Sequence, residues 1–215
     1  MAVSNHSYSG FYCNFDTRSK KEGSMLMGAD SLVGDELKVS FKTDNGQVTV
    51  WLHNKFDAEV GFLDIDASRK LQIANARDLK IRAVLSFVAY SDEPDPGHYW
   101  GQVAIFIYNP AYEETFDVFV NNCKSSIANN SRPNIDLGNQ AVQKLFEDRN
   151  WLPKETVSLP KNESGFAILK SQQKYSEKLI EMGRAKNKGC YVVSWLFIIL
   201  VIAGIVFGLH LLGLF

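Results

Sequence analysis

Apolar and polar residues begin to alternate at Glu36, where ELKVSFKT puts Leu37, Val39 and Phe41 on one face and charged or hydroxyl side chains on the other. Asp44-Asn45-Gly46 then supplies a turn tolerant of positive φ and QVTVWLHN alternates again, which predicts a β-hairpin. Glu59-Val60-Gly61-Phe62-Leu63 reads as a short third strand. Asp66 can cap a first helical turn, and Leu71, Ala74 and Ile73 take the spacing of a short amphipathic helix that stops near Asp78. LKIRAVLSFVAY and GQVAIFIY are two strong strands, separated by a DEPDPG loop whose prolines cannot donate to a ladder. Elsewhere the periods are weaker. Residues 1–34 show one short strand around Tyr8 to Phe15 and a basic knot, Arg18-Ser19-Lys20-Lys21; FDVFV at 116–120 reads as one more strand. A helix is expected over 139–149 with Val142, Leu145 and Phe146 on one face, then a linker at 159–165 and a second helix from Ser171 carrying Tyr175, Leu179 and Met182.

The last stretch of the chain has a different pattern. From Cys190 to Phe215 there is no charged side chain, and these 26 residues would form a helix about 39 Å long, enough to cross a ~30 Å hydrocarbon core. The pattern predicts a single C-terminal transmembrane helix. Lys170, Lys174, Lys178, Arg184, Lys186 and Lys188 precede the run and nothing basic follows it, so the expected orientation leaves the preceding domain facing the cytosol. Tyr191 and Trp195 fall at the expected headgroup level, and Gly204 and Gly208 form a GxxxG on which two such helices can pair as a homodimer. The expectation is a tail-anchored, single-pass membrane protein whose partner is the lipid bilayer.

These patterns predict an α+β fold: a small β-rich sheet or partly open barrel with one inserted helix, then C-terminal helices and the transmembrane helix. The expected divisions are an irregular segment 1–34, a cytosolic β-rich domain 35–160, a linker and basic juxtamembrane helix 161–189, and the anchor 190–215.

Charge narrows the function classes. With 23 Lys+Arg against 24 Asp+Glu the chain has no general attraction for nucleic acid, so any basic surface must be local. Three cysteines, Cys13, Cys123 and Cys190, have neither CxxC nor Cys/His spacing, so no zinc site, disulfide framework or other cofactor is expected. No GxxxxGK[ST], GxGxxG, GxSxG or HExxH is present, which argues against the common enzyme constellations. One acid/base arrangement is open to His98 with Asp92, Glu93 or Asp95, and would make a small hydrolase. Arg69, Lys70, Arg77, Lys80 and Arg82 lie on or beside the short helix and can line a phosphate track. Tyr99 and Trp100, with Trp51 and Tyr90, can stack bases or hold a peptide.

The order hairpin, Glu59-Val60-Gly61-Phe62-Leu63-Asp64, helix 66–77, LKIRAVL, loop and GQVAIFIY resembles the HIRAN domain, over residues 36–108. The resemblance implies a small β-barrel that binds nucleic-acid ends. The segment Asn54-Lys55-Phe56-Asp57-Ala58 departs from the family's pattern, because it runs directly into the Val-Gly motif that should come later. The leading expectation is a membrane-anchored module that binds a protein partner or ligand without catalysis. The alternatives are a nucleic-acid sensor using Arg69, Lys70, Arg77, Lys80, Arg82, Tyr99 and Trp100, and the His98 hydrolase.

Overall fold

A computed structural model describes residues 8–44, 46–160, 165–174, 176–177, 179–180 and 196–202. The chain divides into two units, Met1–Lys174 and Tyr175–Phe215.

The first unit is built on seven antiparallel strands: β1 (Tyr8–Asp16), β2 (Glu36–Asp44), β3 (Gln47–His53), β4 (Glu59–Leu63), β5 (Lys80–Ser91), β6 (His98–Tyr108) and β7 (Phe166–Lys170). Their order is β2-β3-β4-β1-β6-β5-β7, and β2 also pairs with β5 through Glu36↔Val84 and Leu37↔Ala83. That extra pairing closes six strands into a ring, so the small sheet or partly open barrel of expectation is a closed barrel with β7 added outside on β5. Closure removes the two edges that β2 and β5 would otherwise expose. Hairpin β2–β3, strand β4 and the strands β5 and β6 fall where the alternation predicts them.

Inside the barrel lie Phe15, Leu37, Val50, Leu52, Val60, Leu63, Leu85, Val103 and Ile105, all buried. Helix α2 (Ile65–Ala76) packs on β3 and β5, with Ala67, Ser68, Leu71 and Ala74 turned inward at three- and four-residue steps. Its cap is Asp64, two residues before the predicted Asp66; the Asp64 side chain accepts from the amide of Ala67 at 2.7 Å. Around Phe15 the barrel is tight, because Gly101 pairs with it across β1–β6 and Gly61 lies on the neighbouring β4. A Cβ on Gly61 would come within 2.5 Å of the Phe15 ring, and one on Gly101 within 2.7 Å. The ring fills the volume that the two glycines leave empty. The short helix α1 (Lys20–Gly23) and the turn at Ser24–Met27 follow β1, and the turn adds Leu26 to this core.

A second core lies on the outer face of β5 and β6. Helix α3 (Glu113–Ala128) covers it with Phe116, Phe119, Val120, Cys123 and Ile127, and Val142 and Leu145 of helix α4 (Asn139–Glu147) join it. The expected strand at 116–120 is therefore helical. Its apolar positions continue at 123 and 127, a period that only a helix puts on one face. Phe116 stacks between Tyr8 and Tyr108, with centroids 5.1 Å from each. Strand β6 is buried on both faces, which is why GQVAIFIY is apolar at consecutive positions instead of alternate ones.

The expected transmembrane helix requires correction. Among the described residues no helix is long and apolar enough to cross a membrane. Of 190–215 the described part is 196–202, which is helical. A charge-free run meets the compositional requirement for a span; a continuous helix of about 20 residues is a separate requirement. The tail anchor and the single-pass membrane location with a cytosol-facing domain fall with it. Trp195, Gly204 and Gly208 lie outside the described residues, as do Tyr175 and Met182 of the helix expected from Ser171.

Candidate functional site

The five basic residues grouped by the sequence separate into two sets. Arg82, on β5, donates to both carboxylate oxygens of Glu36 at 2.7 and 2.6 Å and to Asp117 of α3 at 2.8 Å. Lys80 pairs with Glu113 and Asp117, Lys124 with Glu36, and the Tyr108 hydroxyl donates to Asp117 at 2.6 Å. Three cations meet three carboxylates, so the network is locally neutral. Burial pushes Glu36 and Asp117 upward, but Arg82 overcomes it for Glu36, Tyr108 and Arg82 overcome it for Asp117, and both carboxyls end below their ordinary values. Lys80 and Arg82 tie α3 and β2 to the barrel and are not available to a phosphate.

The aromatic residues are also occupied. The Tyr99 ring meets Tyr90 edge-on at 5.1 Å, and its carbonyl accepts from Thr17 at 2.7 Å. Trp100 packs between Phe87 and Phe166, 5.5 Å from each. Trp51 lies on Phe62, with Arg18 and Lys42 over its ring at 4.7 and 4.6 Å, and Glu59 pairs with both cations. His98 does not meet the acidic loop. Its Nε2 is 3.8 Å from Asp16, longer than a hydrogen bond, and no group of His, Cys, Asp and Glu able to hold a metal occurs among the described residues.

Arg69, Lys70 and Arg77 behave differently. Arg69 and Lys70 lie on α2 and Arg77 is its C-cap; all three are exposed, and none makes an ion pair with a described residue. Residues 70, 73, 74 and 77 share a helix face by their spacing, and together with β1 they border a groove of about 410 Å³. Its floor is apolar: Phe11 of β1, Ile107 of β6, and Ile73 and Leu79 at the helix end. Lys70 Nζ stands 5.1 Å over the Phe11 ring. Arg69 lies outside the lining. The volume falls in the range of about 300–1,000 Å³ usual for small-ligand sites.

Asp136 forms the opposite wall of the groove, and the sequence reading missed it together with Phe11. It is carried there by the segment after Arg132, which lies close on β1. The hydroxyls of Tyr8 and Tyr12 each donate to a carbonyl of that segment, of Ile135 and Pro133, at 2.9 Å. Gly10 makes the approach possible, since a Cβ there would be 2.3 Å from the Ile135 carbonyl. The alternation of Gly10, Tyr12 and Asn14 against Phe11, Cys13 and Phe15 was the available signal. The Asp136 carboxylate has no hydrogen bond or ion pair with a described residue. Cys13 of β1 is raised to about 12 by burial and by Asp64, with Lys70 pulling it down, so it stays a thiol.

Two exposed cations, an apolar floor with an aromatic ring and a carboxylate without a partner among the described residues have the chemistry to hold a planar heterocycle that bears a phosphate. No protein-family model matches the chain, and no curated protein or solved structure matches it either.

Proposed function

We propose that the barrel is a non-catalytic module that binds a nucleic-acid strand in the groove between α2 and β1. Lys70 and Arg77 take phosphates and a base takes the place of Lys70 over the Phe11 ring, with Arg69 reinforcing the field from the same helix. The observation that supports this reading is the contrast within one stretch of sequence: Lys80 and Arg82 are neutralised, whereas Lys70 and Arg77 border a groove with no acidic partner on them. The resemblance of residues 36–108 to the HIRAN domain points to the same ligand class.

The test is titration of the full-length chain with labelled single-stranded oligonucleotides across a range of salt. Each phosphate neutralised contributes about 0.7 to the slope of log K against log salt, so Lys70→Gln with Arg77→Gln should lower that slope by about 1.4. Lys80→Gln should leave it unchanged, because Lys80 is spent on Glu113. Absence of binding at low salt overturns the reading.

A further inference from the structure

Asp136 borders a second groove, and the two grooves repeat one chemistry. The second measures about 460 Å³ and is lined by Trp151, Lys144 and Lys154 besides Asp136. Lys144 Nζ stands 5.8 Å over the Trp151 ring, as Lys70 stands over Phe11. Lys144 and Lys154 are exposed and make no ion pair with a described residue. Each groove therefore presents one aromatic ring and two cations without an ion-pair partner among the described residues, with Asp136 as their common wall. Glu155 is the other acid in the second groove, and it is turned toward Asn134, whose side-chain amide donates to it at 3.4 Å.

The wall between the grooves is held in place. The Asn134 amide donates to the Glu155 carbonyl at 2.8 Å, Pro133 bridges Thr156, and the Val157 amide donates to the Arg132 carbonyl at 2.8 Å. Arg132 is itself buried, donating to Ser86 and to the Ser158 carbonyl at 2.9 and 2.8 Å, and so ties both segments to the barrel. Trp151 and Phe11 belong to the same unit, Met1–Lys174.

We propose that a single strand bound at Phe11 continues past Asp136 and stacks a further base on Trp151, with its phosphates on Lys144 and Lys154. The inference rests on the reading of the first groove. Asp136 accepts from base N–H donors at the crossing, and its charge keeps phosphates to the two cationic sides. The occupant is a single strand, because its unpaired bases can reach two separate rings.

The experiment measures affinity of the full-length chain for unstructured oligonucleotides of increasing length. Affinity should step up when the strand becomes long enough to reach the second groove. Trp151→Ala should abolish that step, a loss of about 5- to 100-fold for the longer strands, while short-strand binding is retained. Because Trp151 also packs on the second core, the exposed pair Lys144→Gln and Lys154→Gln serves as the second variant and should flatten the step and lower the salt slope for long strands only. Binding that needs Lys70 and Arg77 but shows no length step overturns the second groove and leaves the first standing. A length step insensitive to both variants also overturns it. No binding at any length overturns the first reading and this one with it.

Discussion

Replacing Gly61 by alanine tests the packing that sets the barrel's shape. The new Cβ would lie 2.5 Å from Phe15 Cδ2 and 2.6 Å from the carbonyl oxygen of Asp16, about 1 Å inside ordinary contact. The ring can rotate or slide by a few tenths of an ångström, but Phe15 is 1% exposed and is confined from the other side by Gly101. The carbonyl belongs to a strand and has less freedom still. Overpacking of this kind costs about 1–3 kcal/mol, and a value near 2 lowers the melting temperature of a unit this size by about 4–8 °C. Calorimetry or circular dichroism on Gly61→Ala measures it directly. The double variant with Phe15→Leu separates the two contacts: relief of the ring contact should make Gly61→Ala less costly by about 1 kcal/mol in the leucine background, and the contact with Asp16 accounts for what remains. Gly138→Ala is the control, at φ −73° with nothing within 4 Å of its Cβ, and should cost less than about 1 kcal/mol. A melting temperature within about 1 °C of the parent for Gly61→Ala, or strict additivity with Phe15→Leu, would refute the account of why this strand carries a glycine.

Two further predictions concern buried charge. Arg82→Met leaves Glu36 only Lys124, and Asp117 only Lys80 and the Tyr108 hydroxyl, and should cost about 2 kcal/mol, below the value for a fully buried pair because Glu36 is 35% exposed. The cost should depend on pH: the lowered carboxyls of Glu36 and Asp117 add stability that is fully present above their unfolded values of about 4 and is lost as pH falls through the folded ones, so the gap between the parent and Arg82→Met should close below about pH 4 in denaturant melts. A gap that stays constant from pH 6 to 3 would count against the network. Arg132→Met removes hydrogen bonds to Ser86, Gln102 and the Ser158 carbonyl, but also a charge that burial already disfavours, which lowers the Arg132 pKa. The net loss should be about 2 kcal/mol, with faster amide exchange over residues 153–158 than over β6.

Elements specified by neighbours in sequence were legible before the structure. The hairpin β2–β3 follows from period-two alternation around a turn at 44–46, β4 has the bounds 59–63 that its composition suggests, and α2 follows from apolar spacing and an acidic cap. The departures occur where an element depends on a distant partner. FDVFV alternates enough to pass for a strand, and only continuation of the apolar face to Cys123 and Ile127 under α3 makes it helical. Strand β7, read as linker and helix, is short and takes its ladder from β5. The run 190–215 carries the composition of a span, but among the described residues no helix is long and apolar enough to be one.

The candidate site divides in the same way. Sequence alone determined that cations cluster between residues 69 and 82, that no metal or nucleophile motif accompanies them, and that α2 presents Lys70 and Arg77 on one face, because these depend on residue type and on spacing within a few turns. Which cations remain free was decided by tertiary structure: Arg82 finds Glu36 46 positions earlier and Asp117 35 positions later, and no local pattern encodes those distances. The same holds for the groove. Phe11 and Asp136 belong to segments more than a hundred residues apart and meet because Gly10 lets the chain after Arg132 lie on β1, a contact that exists only once the barrel has closed.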